Sequence, residues 1–422
     1  MNAVHYPRLD ENLVSCKMEN GLTVKIVQRP GFARKLAYFV TDFGSIHTDF
    51  ELDGEVYHAP AGIAHFLEHK MFELPERDVC GEFAAMGANV NAFTSYDMTA
   101  YFFSCTDNFY ESLRLLLEFV STPYFPEESV KREFGIIDQE IGMNEDAPDT
   151  RIFEQLTQLM YGAHPIRVPI LGTRESLRQI TPSLLEACHR AFYTPENMVL
   201  CIVGDVDAGE VLSIARKVLG DSPKSVGKKR KPWQEDMGCP GHSATLTMDV
   251  AMPNFQLGFK CESIGSGEAA IRQEIVGDLA AEALFGESST LYLKLYEDGL
   301  IDTSFGGGFE AVDGCALLTC GGDSNDAEAV QQAILQRAEE IATEGIGEED
   351  FLRMKRSAMG RRIRDLDSFD STCFRVCAYH FASFDYFLFP QIYAEVTAQE
   401  VLEFIRQVVK PERCALSVIN PV

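Results

Sequence analysis

Two histidines and a glutamate stand close together in the segment 61–73, AGIAHFLEHKMFE. His65 and His69 are four residues apart, so on a helix both imidazoles project from one face, one turn from each other. Neutral imidazole is a ligand that suits zinc. Glu68 stands where a carboxylate can take a proton from a metal-bound water and pass it to a leaving amine. The segment therefore predicts a metal-binding helix that carries its own general base; the alternative is a helix that exposes these polar residues without binding anything.

A third metal ligand has to come from elsewhere, because catalytic zinc sites usually have three protein ligands and one open position. The segment 127–143 is the candidate helix. Its buried stripe is predicted from four apolar residues at helical spacing, Val130, Phe134, Ile137 and Ile141. Glu133 and Glu140 are two turns apart on a neighbouring stripe. One of them can ligate zinc and the other can hydrogen-bond a ligand, and the spacing alone does not choose between them.

The elements around these residues occur twice along the chain. The segments 180–205 and 396–421 align without a gap, and each reads as a threonine-capped helix, a proline-containing turn and a strand. A weaker echo links the segment at Glu127 with that at Glu348. We therefore predict two homologous halves, residues 1–220 and 244–422, joined by a linker at 221–243. Hairpin-like strands mixed with long helices favour an α+β fold in which each half is a largely antiparallel sheet with helices packed mainly on one face.

The composition excludes several classes of partner and location. A net charge of −27 repels phosphate backbones, so we expect no nucleic acid; it makes basic peptides reasonable ligands, although acidic residues can simply solvate the surface. Twelve scattered cysteines without a C-x-x-C pair favour reduced, buried thiols. There is no apolar run of membrane-spanning length and the start does not read as a secretion signal, so we expect no membrane association and a cytoplasmic protein.

Several segments together resemble the pitrilysin/insulinase family of zinc metallopeptidases, which includes mitochondrial processing peptidase. They are HFLEH, which has the H-x-x-E-H order of the inverzincin signature, and VKREFGIIDQEI, GANVNAFTSYDMTAY and HPIRVPILGT. The resemblance implies one zinc ion per chain with His65, His69 and Glu140 as ligands. It also implies Glu68 as general base and Glu133 as the supporting carboxylate.

The resemblance also suggests where substrate binds. The family's strand with an N-A pair, here Asn91 and Ala92, pairs with an extended peptide by β-augmentation; an ordinary inner strand is the alternative. Many members carry an arginine and a tyrosine in a second-half stretch like LREEKGLAY. Here the stretch is LYLKLYEDGLIDTSFGGGF, which offers Tyr296 and Asp302. Tyr296 is therefore the candidate substrate contact, and oxyanion stabilisation is left to a partner subunit or another group.

The second half has Met354 and Arg361 at the places that echo Glu133 and Glu140, so it should hold no zinc. The stretches LYEDGLIDTSF and GIIDQEI together most resemble the bacterial YmfH-like branch, which implies a homodimer or a heterodimer with a related subunit lacking the zinc motif. The resulting hypothesis is a zinc-dependent endopeptidase that cleaves peptides or unfolded segments inside a chamber closed by two subunits. A catalytically silent scaffold or partner subunit of the same fold is the alternative.

Overall fold

The computed structural model describes residues 1–220, 226–231 and 233–422 as two halves of mixed helix and sheet. The elements of the first half are β1 Asn2–Tyr6, β2 Glu11–Lys17, β3 Thr23–Gln28, β4 Lys35–Thr41, β5 Asp49–Leu52, β6 Glu55–His58, α1 Ile63–Met71, β7 Glu73–Leu74, β8 Arg77–Asp78, α2 Val79–Ala85, β9 Asn89–Thr94, β10 Thr99–Cys105, α3 Phe109–Ser121, α4 Glu127–Glu145, α5 Pro148–Met160, α6 Arg174–Leu177, α7 Pro182–Phe192, β11 Met198–Gly204 and α8 Ala208–Leu219.

The second part of the chain continues with a short strand and then repeats the pattern of a sheet with long helices. Its elements are β12 Lys228–Lys229, β13 Ser243–Met248, β14 Asn254–Cys261, α9 Glu268–Phe285, α10 Thr290–Glu297, β15 Gly306–Val312, β16 Cys315–Asp323, α11 Ala327–Glu344, α12 Glu348–Arg364, α13 Phe369–Phe381, α14 Phe389–Glu395, α15 Ala398–Val408 and β17 Cys414–Pro421.

Five adjacent strands of the larger sheet have the same order along the chain as the five strands of the smaller sheet. The first runs β1-β2-β3-β11-β4-β10-β9 and the second runs β13-β17-β14-β16-β15, so the last five strands of the first sheet match the five of the second. In each sheet one pair is parallel, β3 with β11 and β13 with β17, and the other pairs are antiparallel. The predicted fold class is thus confirmed: an α+β protein of two similar, largely antiparallel halves.

The repeated segments begin with the same helix cap. The Thr181 hydroxyl accepts a hydrogen bond from the Leu184 backbone N–H at the start of α7, and the Thr397 hydroxyl accepts one from Glu400 at the start of α15. A side-chain oxygen at this position satisfies an N–H that has no partner within the helix. A 3₁₀ turn and a strand follow each helix, β11 in the first half and β17 in the second. The capped helix, turn and strand therefore occur in both halves, as the sequence repeat predicts.

One helix of each half packs against the sheet of the other half. Helix α5 of the first half packs on β17, where the Ser417 hydroxyl donates to Gln155 Oε1 at 2.8 Å. Helix α13 of the second half packs on β11, and the Cys373 thiol lies 3.8 Å from the Cys201 carbonyl oxygen. Both cysteines are fully buried. The exchange covers the second face of each sheet and ties the two halves together.

The predicted linker at 221–243 is only partly irregular. Its strand β12 pairs antiparallel with β5, while residues 221–225 and 232 lie outside the described part of the chain. The exact domain boundaries therefore stay a prediction. Within the described ranges, no helix is both long and apolar enough to cross a membrane.

Helix α1 starts at a glycine that no other residue could replace without strain. Gly62 has φ 88°, in the left-handed region, and a Cβ there would lie 2.4 Å from the Leu171 carbonyl oxygen. The helix is anchored by apolar side chains that are almost completely buried, Ile63, Phe66, Leu67 and Met71. The turn at Gly62 and this apolar face together fix the direction of the helix that carries both histidines.

Replacing Gly62 by alanine should destabilise the protein strongly, because the new methyl group meets a backbone carbonyl. We expect a loss of roughly 3 kcal/mol or more, seen as a lower melting temperature. Gly31→Ala is the matched control, since Gly31 has φ +81° but open space where a Cβ would lie; it should cost only about 1 kcal/mol. Equal losses for the two variants would contradict the steric argument.

Candidate metal centre

Helices α1 and α4 bring three potential metal ligands to one point. His65 Nε2 lies 3.6 Å from one carboxylate oxygen of Glu140, and His69 Nε2 lies 3.5 Å from the other. These distances exceed those of ordinary hydrogen bonds. Two atoms that each bind zinc at about 2 Å in a tetrahedral arrangement lie about 3.3 Å apart. The spacing of the three side chains therefore fits a shared zinc ion.

Within the described part of the chain, this is the one group of three or more His, Cys, Asp or Glu side chains close enough to share an ion. Their donor atoms lie within 4.8 Å of one another. The second half offers no such group where its repeat echoes the zinc ligands. Its Arg361 guanidinium donates instead to Glu282 at 2.7 Å. One zinc ion per chain, held in the first half, stays a prediction.

Glu133 stands behind the histidines and not between them. Its Oε1 accepts a hydrogen bond from His69 Nδ1 at 2.9 Å. This bond places the proton on Nδ1 and leaves the lone pair of Nε2 free for a metal. Packing thus separates the two glutamates that the spacing left equivalent: Glu140 faces both imidazoles and Glu133 orients one of them. Their roles as ligand and supporting carboxylate stay predictions.

The electrostatics of the two imidazoles differ. Burial lowers the pKa of His65 to about 3, and the neighbouring His69 adds to this effect. His65 is therefore neutral at physiological pH and its nitrogen lone pair is available. Burial also lowers the pKa of His69, but the hydrogen bond to Glu133 and the surrounding carboxylates outweigh it and hold that pKa above its ordinary value. A proton therefore competes with an incoming metal ion for His69 more strongly than for His65.

Glu68 is held by a residue that the sequence analysis did not single out. The Thr94 hydroxyl donates to Glu68 Oε2 at 2.6 Å, and Glu68 is only 8% exposed. Burial raises the pKa of Glu68, although the Thr94 hydrogen bond and the His69 charge partly oppose the shift. A raised pKa makes the carboxylate a stronger base, and a group that first takes up a proton and then gives it back works best when its pKa is closer to the working pH. Thr94 follows Ala92 by two residues in β9, and this strand periodicity was the signal that could have identified it.

The candidate metal centre opens into a cleft of ≈ 730 Å³. Strand β9 forms one wall through Asn91 and Ala92, and helix α5 forms another through Phe153 and Glu154. Because β9 is the last strand of its sheet, its outer edge pairs with no strand among the described residues. An extended peptide could add to this edge and lie across the metal centre.

Tyr296 does not share this cleft. It lies on α10, is half exposed, and stacks on Tyr292 with ring centroids 6.1 Å apart. It is absent from the described residues that line the cleft. The structure therefore brings together the other predicted site residues, with Glu133 directly behind His69, and the role of Tyr296 stays a prediction that this chain alone does not support.

Two family models match most of the chain. "Insulinase (Peptidase family M16)" matches residues 54–174, and "Peptidase M16 inactive domain" matches residues 179–358. A Bacillus subtilis (strain 168) protein named uncharacterized zinc protease YmfH is 36% identical over 427 residues, which is 99% of each chain. The chain belongs to peptidase family M16. The resemblance inferred from the sequence motifs is thereby confirmed, including its YmfH-like branch.

Solved structures agree with the membership in family M16. A crystal structure described as an M16-like peptidase from Alicyclobacillus acidocaldarius is 32% identical, with a TM-score of 0.93 over 98% of this chain and 99% of the other. Pitrilysin is 15% identical, with a TM-score of 0.82 over 99% of this chain and 46% of its own. The likeness to pitrilysin shows the fold alone, and this M16 chain corresponds to about half of it.

Replacing Glu68 by glutamine should stabilise the metal-free protein in a pH-dependent way. Because the folded pKa is raised, the carboxyl contributes its full stability below the unfolded value and loses it as pH rises through the folded pKa. We therefore expect E68Q to melt about 2 °C or more above the wild type at about pH 8, with a smaller difference at about pH 5. Glu262→Gln, which changes an exposed carboxylate, should show no such trend. A gain that is the same at both pH values would contradict the burial argument.

Proposed function

We propose that this M16 protein is a zinc-dependent endopeptidase that hydrolyses peptides or unfolded segments. The observation that carries the proposal is the convergence of His65, His69 and Glu140 beside the buried Glu68, next to the outer edge of β9, which pairs with no strand of the described chain. Nitrogen and carboxylate donors in this number are those of catalytic zinc sites with one open position. The names of the relatives as zinc proteases support the same function.

The roles of the residues follow from their positions. Zinc bound there would supply Lewis acidity, polarising the scissile carbonyl group and lowering the pKa of a water. Glu68 would take the proton of the attacking water and deliver it to the leaving amine nitrogen. Thr94 keeps the Glu68 carboxylate turned toward the cleft, and the edge of β9 at Asn91 and Ala92 would hold the substrate backbone.

The second half would supply no catalytic residue and would form part of the wall around the substrate. We propose residues 1–220 as the catalytic domain and residues 244–422 as a homologous non-catalytic domain. Two subunits, either two copies or this chain and a related subunit without the zinc motif, would close a chamber around the cleft. Such a chamber admits unfolded segments and excludes folded proteins by size.

The cleft favours a basic substrate. Four carboxylates line it, Glu68, Glu140, Asp149 and Glu154, and no lysine or arginine is among its described lining residues. Glu154 is paired with Arg151 at 2.7 Å, whereas Asp149 is exposed and has no ion-pair partner in the described chain. Asp149 is therefore the carboxylate most available to a lysine or arginine of the substrate.

Peptides that contain lysine or arginine should be cleaved faster than the same peptides with glutamate in those places. Asp149→Asn should reduce that preference about 5-fold or more, because it removes an attraction of about 1 kcal/mol. Asp146→Asn is the control, since Asp146 is exposed and outside the cleft. Kinetics on the two peptide series give the preference. A preference that D149N leaves unchanged would rule out this contact.

Replacing Glu68 by glutamine should lower kcat about 100- to 10,000-fold while zinc content stays stoichiometric. Removal of the metal by a chelator should abolish cleavage, and added zinc should restore it. Metal analysis and peptide cleavage on the same preparations provide both readouts. If E68Q cleaves as fast as the wild type, the proposed mechanism is wrong. Protein purified without chelator that holds no zinc would favour the silent scaffold instead.

A further inference from the structure

Lys70, the residue after His69, is completely buried. Its side chain has no exposed surface, and its ammonium group has three oxygen neighbours. It hydrogen-bonds to the Glu73 carboxylate and to the Ser129 hydroxyl, and it lies 3.8 Å from Glu133 Oε2. Because an ammonium group is costly to bury without partners, each of these contacts matters to the fold.

These contacts link the two helices of the metal centre. Lys70 projects from α1, while Ser129 and Glu133 project from the first half of α4. Ser129 also donates to the Glu73 carboxylate, so the ammonium, the hydroxyl and the carboxylate form a closed set. Helix α4 carries Glu140 two turns beyond Glu133. The position of Glu140 against the histidines therefore depends on the junction that Lys70 occupies.

Glu133 joins Lys70 to the metal centre. Its Oε1 accepts from His69 Nδ1 at 2.9 Å, and its Oε2 faces Lys70. One carboxylate thus stands between an imidazole that must present its other nitrogen to a metal and a buried cation. The ammonium group attracts this carboxylate and fixes its position, and a fixed carboxylate orients the His69 ring.

The charge balance adds a second reason for a cation here. Glu68, Glu133 and Glu140 lie around the two imidazoles, so three acidic side chains share a small volume that contains no lysine or arginine other than Lys70 among the described residues. Lys70 places its ammonium group beside them, 3.8 Å from Glu133 Oε2. It can therefore hold α1 and α4 together before a metal arrives.

We propose that Lys70 is a positioning residue for the metal centre that acts through Glu133: it holds the Glu133 carboxylate in place, so that His69 presents its Nε2 to zinc. This inference rests on the proposed function, because it assumes that the site takes zinc. It assigns Lys70 no contact with metal or substrate. A lysine that only filled space in the core would affect folding but leave the zinc affinity of the folded protein unchanged.

A double-mutant cycle on the full chain separates these possibilities. The variants are Lys70→Met, Glu133→Gln and both together, with Lys131→Met as the control because Lys131 is an exposed lysine of α4, the helix that carries Glu133. Zinc affinity is measured by competition with a chromophoric chelator, on protein shown by circular dichroism to be folded. We expect K70M and E133Q each to weaken zinc binding about 10- to 100-fold, and the double variant to be no more than about 2-fold weaker than E133Q. K131M should bind zinc as the wild type does.

The proposal is overturned if K70M binds zinc as tightly as the wild type. It is also overturned if the loss of zinc affinity in the double variant equals the product of the losses in the two single variants. If K70M alone does not fold, the comparison of E133Q with the double variant still decides, because the double variant removes Lys70 and Glu133 together. A zinc affinity of the double variant about 10-fold or more below that of E133Q overturns the proposal. A wild type that binds no zinc refutes the proposed function itself. A wild type that binds zinc and cleaves peptides, together with an unaffected K70M, refutes only the role of Lys70.

Discussion

Helix α1 carries ionisable side chains into the interior of the first half, and each has to be compensated there. His65, Glu68 and Lys70 are all at least nine-tenths buried. Burial of charge is tolerated only with partners of good geometry. Helix α4 supplies most of them, with Glu140 facing the histidines and with Glu133 and Ser129 facing His69 and Lys70. The contact between α1 and α4 is thus the interaction on which the metal centre depends.

The second half supports this arrangement without repeating its chemistry. Helix α5 forms part of the cleft wall at Glu154 and contacts the second sheet one residue later, where Gln155 meets Ser417. At the place of Glu140, the repeat has Arg361, which pairs with Glu282. An ion pair in that position needs no metal. The two halves therefore share a scaffold, while the candidate metal ligands lie in the first half.

Much of the fold could be predicted from local patterns. The threonine caps, the turns and the following strands are short-range features. Because the same pattern occurs in both halves, each occurrence supported the prediction of the other. The exchange of α5 and α13 between the sheets could not be predicted in this way, because an amphipathic helix does not encode which apolar face it will meet. The fully buried Lys70 was missed for a related reason: a lysine beside a metal-binding motif reads as a surface residue until its neighbours are known.

The sequence by itself determined that His65 and His69 share one face of a helix with Glu68 beside them, because helical periodicity converts a spacing of four into proximity. It also determined that two glutamates follow on a second helix two turns apart. Only the tertiary structure decided which glutamate faces the imidazoles, that Thr94 holds Glu68, and that Tyr296 lies away from the cleft. Those outcomes depend on the relative placement of separate helices and strands, which is set by packing across the whole chain and not by the spacing within any one segment.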